Sequence, residues 1–232
     1  MWGHRVEKDP VVQGETNGIG YPFRSGGVAG GIASKNCLTR DSFMEVFFTS
    51  TLLVAVAEIG DKTMLLAILL ATRFKKPIPV IAGIFIATII NHALAAWAGS
   101  ALAAIFMSDI FGYAVAIGFI LMAAWTLIPD KVDDNIKVAS QRGAFVATAI
   151  AFFLVEMGDK TQVATIALGA QYHAVWAVAA GTTLGMMIAN VPAVYLGERL
   201  VAKISLHMVH IIAAAMFLLL GLWQLWELSS RA

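Results

Sequence analysis

Two stretches, Glu58-Ile59-Gly60-Asp61-Lys62-Thr63 and Glu156-Met157-Gly158-Asp159-Lys160-Thr161, place the same charged phrase twice in the middle of long apolar surroundings. An ionisable side chain at the centre of a membrane helix costs roughly 2.5 to 3.5 kcal/mol on insertion scales. Six such residues in two matched places therefore call for a function, and binding a species that crosses the membrane is the simplest one. The two phrases lie 98 residues apart, and the same offset carries Gly83 onto Gly181, Gly99 onto Gly197 and Trp125 onto Trp223. The chain is thus read as a tandem duplication. If the repeated unit crosses the membrane an odd number of times, its two copies enter in opposite orientations, as in many secondary transporters.

Composition agrees with a membrane setting. Of 232 residues 59% are hydrophobic and 13% charged, and the mean hydropathy is +0.78; a soluble domain carries roughly 25% charged residues. A formal net charge of +1, with Lys and Arg scattered over short connections, excludes the basic patch that nucleic-acid binding requires. Cys37 is the only cysteine, which excludes an intramolecular disulfide framework and Cys-rich metal centres.

From Phe43 the apolar runs predict six spans, at about 43–72, 78–107, 110–128, 144–171, 174–202 and 207–228, each longer than the roughly 18 apolar residues that read as a crossing. The expected architecture is an all-α polytopic membrane protein of two inverted three-helix repeats. Residues 44–128 form repeat one, 129–142 a connecting loop, 143–228 repeat two and 229–232 a short tail. Residues 1–43, with Gly14, Gly18, Gly20, Gly26, Gly27, Gly30 and Gly31, read as a flexible N-terminal tail. Met44 stands where the first span begins, so translation starting there is an expectation that expression from Met44 tests. Arg73, Lys75 and Lys76, then Lys131, Lys137 and Arg142, then Arg199 and Lys203 mark alternate connections. The positive-inside rule makes these cytoplasmic and both termini external.

Within each phrase the acids and the lysine are spaced i, i+3, i+4, and on a continuous helix Glu58, Asp61 and Lys62 share one face, as do Glu156, Asp159 and Lys160. Gly60 and Gly158 weaken the helix there and allow it to bend. If the two phrases meet, four carboxylates and two ammonium groups sum to −2, the complement of one divalent cation. Carboxylate, hydroxyl, amide and carbonyl oxygens suit hard ions such as Mg²⁺, Ca²⁺ and Mn²⁺. The metal ligands are expected to be Glu58, Asp61, Glu156 and Asp159. Supporting roles fall to Lys62, Thr63, Lys160, Thr161, Gln162 and Asn190, and to His92, which occupies the position related to Asn190 by the repeat. Pro192 cannot donate to the carbonyl of Ile188, so an exposed oxygen is expected near Asn190. The competing structural readings are i,i+4 ion pairs of Glu58 with Lys62 and Glu156 with Lys160, and threonine hydroxyls bonded to their own preceding turn. The ion-pair reading leaves Asp61 and Asp159 without a purpose.

Two copies of Glu-x-Gly-Asp-Lys-Thr in a duplicated six-span chain resemble the signature of the Gdt-one family of membrane cation exchangers, whose bacterial members include manganese exporters of the MneA type. The resemblance covers residues 44 to 228. It implies transport of Mn²⁺, with Ca²⁺ as a second substrate, in exchange for H⁺ or Na⁺, and it assigns the family's acidic motif residues to Glu58, Asp61, Glu156 and Asp159. Gln162 keeps the family's Gln after the motif Thr, whereas Met64 departs from it, so the first half is expected to offer fewer oxygen ligands.

The expected function is therefore export of a divalent cation across a bacterial inner membrane by alternating access around a midplane acidic site, with no cofactor and no enzymatic step. Protons are expected to replace the metal on the carboxylates when it leaves. Two rival readings are an exporter of amino acids or other small solutes and a non-transporting assembly factor. Four acids per site suit a cation better than a carboxylate-bearing solute. An enzyme is disfavoured because neither phrase supplies an activated Ser or Cys nucleophile.

Overall fold

The computed structural model describes residues 40–106, 109–128, 143–197 and 205–231, and among these residues the secondary structure is α-helical. The helices are α1 (Arg40–Glu58), α2 (Lys62–Phe74), α3 (Pro77–Ile105), α4 (Asp109–Thr126), α5 (Ala144–Glu156), α6 (Lys160–Tyr172), α7 (Val175–Leu196) and α8 (Leu206–Arg231). The N-terminal tail up to residue 39 and the connecting loop 129–142 lie outside the described residues.

The expected first and fourth spans are not continuous. Each is two helices, α1 with α2 and α5 with α6, broken at the charged phrase. At 13 residues, α2, α5 and α6 each reach about 20 Å at 1.5 Å per residue, short of a hydrocarbon core about 30 Å thick. Three helices, α3, α7 and α8, are long and apolar enough to cross a membrane by themselves, and α4 and α5 are apolar but shorter. The outer helices also run further than expected, since α1 begins at Arg40 and α8 ends at Arg231.

The repeat is visible in the turns. α2 closes on Lys75 in the left-handed region (φ 53°), its N–H donating to Ala71 O, and α6 closes on His173 (φ 52°), its N–H donating to Gly169 O. Both turns feed the next helix at once, with Pro77 preset for the first turn of α3.

Packing crosses between the repeats: α1 lies along α7 and α5 lies along α3. These are one contact made twice. A Cβ on Gly83 would stand 2.7 Å from Phe145 O and 2.8 Å from Thr148 Cβ, and one on Gly181 would stand 2.5 Å from Phe47 O and 3.0 Å from Ser50 Cβ. Each partner is related to its counterpart by the offset of 98. Only glycine permits this approach, which turns the small-residue pattern of the sequence into a backbone contact.

The third helices pair with each other in opposite directions. Gly112 meets Leu228, Gly221 meets Ala116, and the repeat-related Phe119 and Phe217 stack with centroids 6.5 Å apart. Antiparallel pairing of equivalent helices about equivalent residues is what oppositely oriented repeats produce.

Polarity is arranged inside out. Ser50, Thr88, Asn91, His92, Thr148, Thr182 and Asn190 are buried, while Ile110, Trp176, Leu219 and Trp226 lie on the surface. Trp97, Trp125 and Trp223 are exposed as well. A surface this apolar suits hydrocarbon rather than water.

Candidate metal centre

Both charged phrases are turns between helices. Gly60 (φ 85°) and Gly158 (φ 78°) occupy the left-handed region, which costs a residue with a Cβ roughly 1 to 2 kcal/mol. The N–H of Asp61 donates to Glu58 O at 3.1 Å, and that of Asp159 donates to Glu156 O at 3.1 Å. Asp61 and Asp159 then stand at the N-caps of α2 and α6 in extended conformation (ψ 166° and 165°), without capping hydrogen bonds from their side chains. Each turn therefore presents the positive end of one helix and the negative end of another, an arrangement that favours ions at the break. The shared face expected of a continuous helix does not form, because the glycine and the extended aspartate end the helical path after Glu58 and Glu156.

The breaks nevertheless bring acids together across the repeats. One oxygen each from Glu58, Asp61 and Asp159 lies within 4.8 Å of the others, and all three residues are buried. They line a small cavity with Ala57, Thr126 and His210. Thr63 Oγ1 donates to Glu58 Oε2 at 2.5 Å, while Glu58 Oε1 is buried with no hydrogen-bond partner among the described residues. A buried carboxylate oxygen without a donor costs free energy unless an ion or water meets it.

Glu156 stands outside this group. Its Oε1 lies 2.7 Å from His92 Nε2, both side chains having no solvent exposure, and its Oε2 has no hydrogen-bond partner among the described residues.

The lysines go against the competing ion-pair reading. Neither pairs with its own glutamate at i,i+4: Lys62 Nζ lies 2.7 Å from Asp159 Oδ1 in the other repeat, and Lys160 Nζ donates to Ile128 O just beyond α4 at 2.7 Å. The helix break removes the spacing on which the i,i+4 pair depends. Thr161 Oγ1 donates to Asp159 Oδ2 at 3.1 Å, so both motif threonines serve carboxylates rather than their own preceding turn. Gln162 Oε1 accepts from Gly158 N–H at 2.6 Å and holds the second turn.

Asn190 Nδ2 donates within α7, to Met186 O at 3.0 Å, and contacts Met186 Sδ at 2.9 Å, whereas its Oδ1 is buried without a partner among the described residues. Pro192 lies inside α7, which continues to Leu196. Met64 is buried against Ile68 and Ala193. Thr126, His210 and the carbonyl of Ile128 were not found by sequence reasoning, since the third helices carry no charged phrase. The one available signal was the break in the repeat at Gly112 and His210.

A duplicated helical bundle whose two broken helices place buried acids from both halves around one cavity defines the class of membrane cation transporters. The model of the family described as "Divalent cation/proton antiporter GDT1" matches residues 46–134 and again 144–232, and the chain belongs to that family. A protein of Vibrio cholerae serotype O1 described as "Putative manganese exporter" is 52% identical over 180 residues, covering 77% of this chain and 90% of its own length. GDT1-like protein sll0615 of Synechocystis is 29% identical over 204 residues, 79% of this chain and 98% of its own length. GDT1-like protein 3 of Oryza sativa subsp. indica is 26% identical over 241 residues, 93% of this chain and 80% of its own length. No solved structure matches this chain significantly.

Proposed function

We propose that this protein exports divalent cations, Mn²⁺ first and Ca²⁺ as a second substrate, in exchange for H⁺ or Na⁺. The family supports cation/proton exchange, and the printed description of the Vibrio relative supports manganese. The observation that carries the reading is the buried meeting of Glu58, Asp61 and Asp159 from two repeats, with an undonated oxygen on Glu58. Oxygen donors of this kind suit Mn²⁺ and Ca²⁺. In this reading α1–α2 and α5–α6 each cross the bilayer as one broken span, giving six crossings in a bacterial inner membrane with both termini outside. Asp61 and Asp159 bind the cation, and a motif glutamate, Glu58 in the arrangement described, completes the site. Thr63 and Thr161 orient carboxylates, and Lys62 limits the negative charge of the empty cavity. Binding at the breaks and movement of one set of helices against the other expose the cation to alternate sides.

The test is equilibrium binding of Mn²⁺ to the purified full chain, with Ca²⁺ and amino acids as competitors. Competition by Ca²⁺ but not by amino acids, and loss of binding in Asp61→Asn and Asp159→Asn, is the expected result. Wild-type binding in both variants refutes the site.

A further inference from the structure

The two charged phrases have nearly the same sequence, yet they are used differently. Glu58 joins Asp61 and Asp159, while its counterpart Glu156 is held by His92. The repeat places Asn190 on α7 where His92 stands on α3, and Asn190 carries a buried amide oxygen without a hydrogen-bond partner among the described residues. Glu58 and Glu156 each keep one buried oxygen in the same condition.

The surrounding helices break the symmetry in the same sense. α4 packs on α6 and α8 packs on α1, but among the described residues neither equivalent pair, α8 with α2 or α4 with α5, forms a comparable contact. Gly60 lies under Leu206 at the start of α8, whereas nothing among the described residues stands within 4 Å of a Cβ on Gly158. Gly99 is pressed against Ile166 O of α6, whereas a Cβ on Gly197 meets nothing among the described residues. Lys160 is buried and bonded to Ile128 O, whereas the Lys62 side chain is 28% exposed. The helix contacts and the bond of Lys160 to Ile128 O place the α4–α8 pair against the halves α1 and α6 rather than α2 and α5, and Leu206 seats the start of α8 on the first turn and not on the second.

We propose that Glu58 and Glu156 take turns as the third carboxylate of the cation site, with Asp61 and Asp159 common to both arrangements. Movement of the α4–α8 pair from α1 and α6 to α2 and α5 makes the exchange. In the structure described, Glu58 completes the site and His92 holds Glu156 aside. In the exchanged state, obtained by giving each repeat the other's contacts, Glu156 completes the site with the same two aspartates. Glu58 then withdraws toward Asn190, whose amide can turn an N–H to it, and Lys62 takes up the bond to the end of α8 that Lys160 now makes to the end of α4. The cation keeps two ligands throughout and changes one, so the site is never dismantled while the access side changes. This inference rests on the cation-transport reading.

The experiment measures Mn²⁺ binding to the purified full chain in detergent, and Mn²⁺ flux in proteoliposomes, for Glu58→Gln, Glu156→Gln, the double variant and Asp61→Asn/Asp159→Asn. The expected result is asymmetric. Glu156→Gln binds within about threefold of wild type, Glu58→Gln binds at least about tenfold more weakly, the double variant does not bind, and both single variants lose flux. Equal weakening by the two single substitutions means that four carboxylates act at once and overturns the exchange, as does flux retained by Glu156→Gln. Wild-type binding by Asp61→Asn/Asp159→Asn overturns the cation site itself, a distinct outcome. His92→Ala in the Glu58→Gln background gives a second reading independent of folding defects. Releasing Glu156 strengthens the residual Mn²⁺ binding if the exchange operates, and unchanged or weaker binding contradicts it.

Discussion

Gly60 and Gly158 offer a quantitative test of the way α8 sits on one charged phrase and not the other. Both hold left-handed backbone, φ 85° and 78°, so alanine at either costs roughly 1 to 2 kcal/mol in backbone strain. At Gly158 nothing is added to it among the described residues, where a Cβ meets nothing within 4 Å. At Gly60 the new Cβ overlaps Leu206 Cδ2 and stands 3.3 Å from Cγ and 3.4 Å from Cδ1, so Leu206 has to move. The atoms in the way are the end of a half-buried leucine side chain, so the added cost sits at the low end of overpacking, about 1 kcal/mol. Gly60→Ala is therefore expected to destabilise by about 2 to 3 kcal/mol, the sum of those two costs, against about 1 to 2 kcal/mol for Gly158→Ala. Thermal melting of the purified protein reads the difference, and Leu206→Ala closes a double-mutant cycle. The cycle is expected to return a coupling of about 1 kcal/mol between positions 60 and 206 and none between 158 and 206. Equal losses at the two glycines, or no recovery of Gly60→Ala by Leu206→Ala, refute the seating of α8 on the first phrase.

Further outcomes follow from the same geometry. Gly99→Ala forces α3 away from Ile166 O and is expected to cost more in melting temperature than Gly197→Ala, whose added Cβ meets nothing among the described residues and carries the strain of φ 58°. Thr63→Val removes the donor to Glu58 and leaves a buried oxygen without a partner, a loss of about 1 to 3 kcal/mol, to be read by melting with and without Mn²⁺. Raising the pH strengthens Mn²⁺ binding by up to about tenfold per pH unit for each proton displaced, since carboxylates bind metal only when deprotonated; isothermal titration in two buffers of different ionisation enthalpy counts those protons.

The sequence carried the duplication, the acids and the approach of the small residues, because each is written in residue identity at a fixed offset. Gly83 and Gly181 were legible as close-contact positions for that reason. The helix breaks were only half legible. Gly60 signalled a weak point, but the i, i+3, i+4 spacing put Glu58, Asp61 and Lys62 on one face of a continuous helix, a grouping that the break undoes. The pairing of Lys62 with Asp159 and of His92 with Glu156 depends on how α3 and the second repeat fold back on the first, and no local spacing encodes that. His210 and Thr126 stayed hidden because their spans carry no repeated charged phrase, and only the antiparallel pairing of α4 with α8 brings them to the acids. The unequal use of two nearly identical phrases belongs to the packing of one conformation and cannot be read from a symmetric sequence.

The most direct measurement of the central claim is Mn²⁺ uptake into proteoliposomes under an imposed pH gradient, with internal pH recorded at the same time and Asp61→Asn/Asp159→Asn as control. Mn²⁺ movement that follows the gradient, is matched by opposite proton movement and vanishes in the variant is the result this account predicts. Mn²⁺ movement that is indifferent to the gradient, or that persists in the variant, contradicts it.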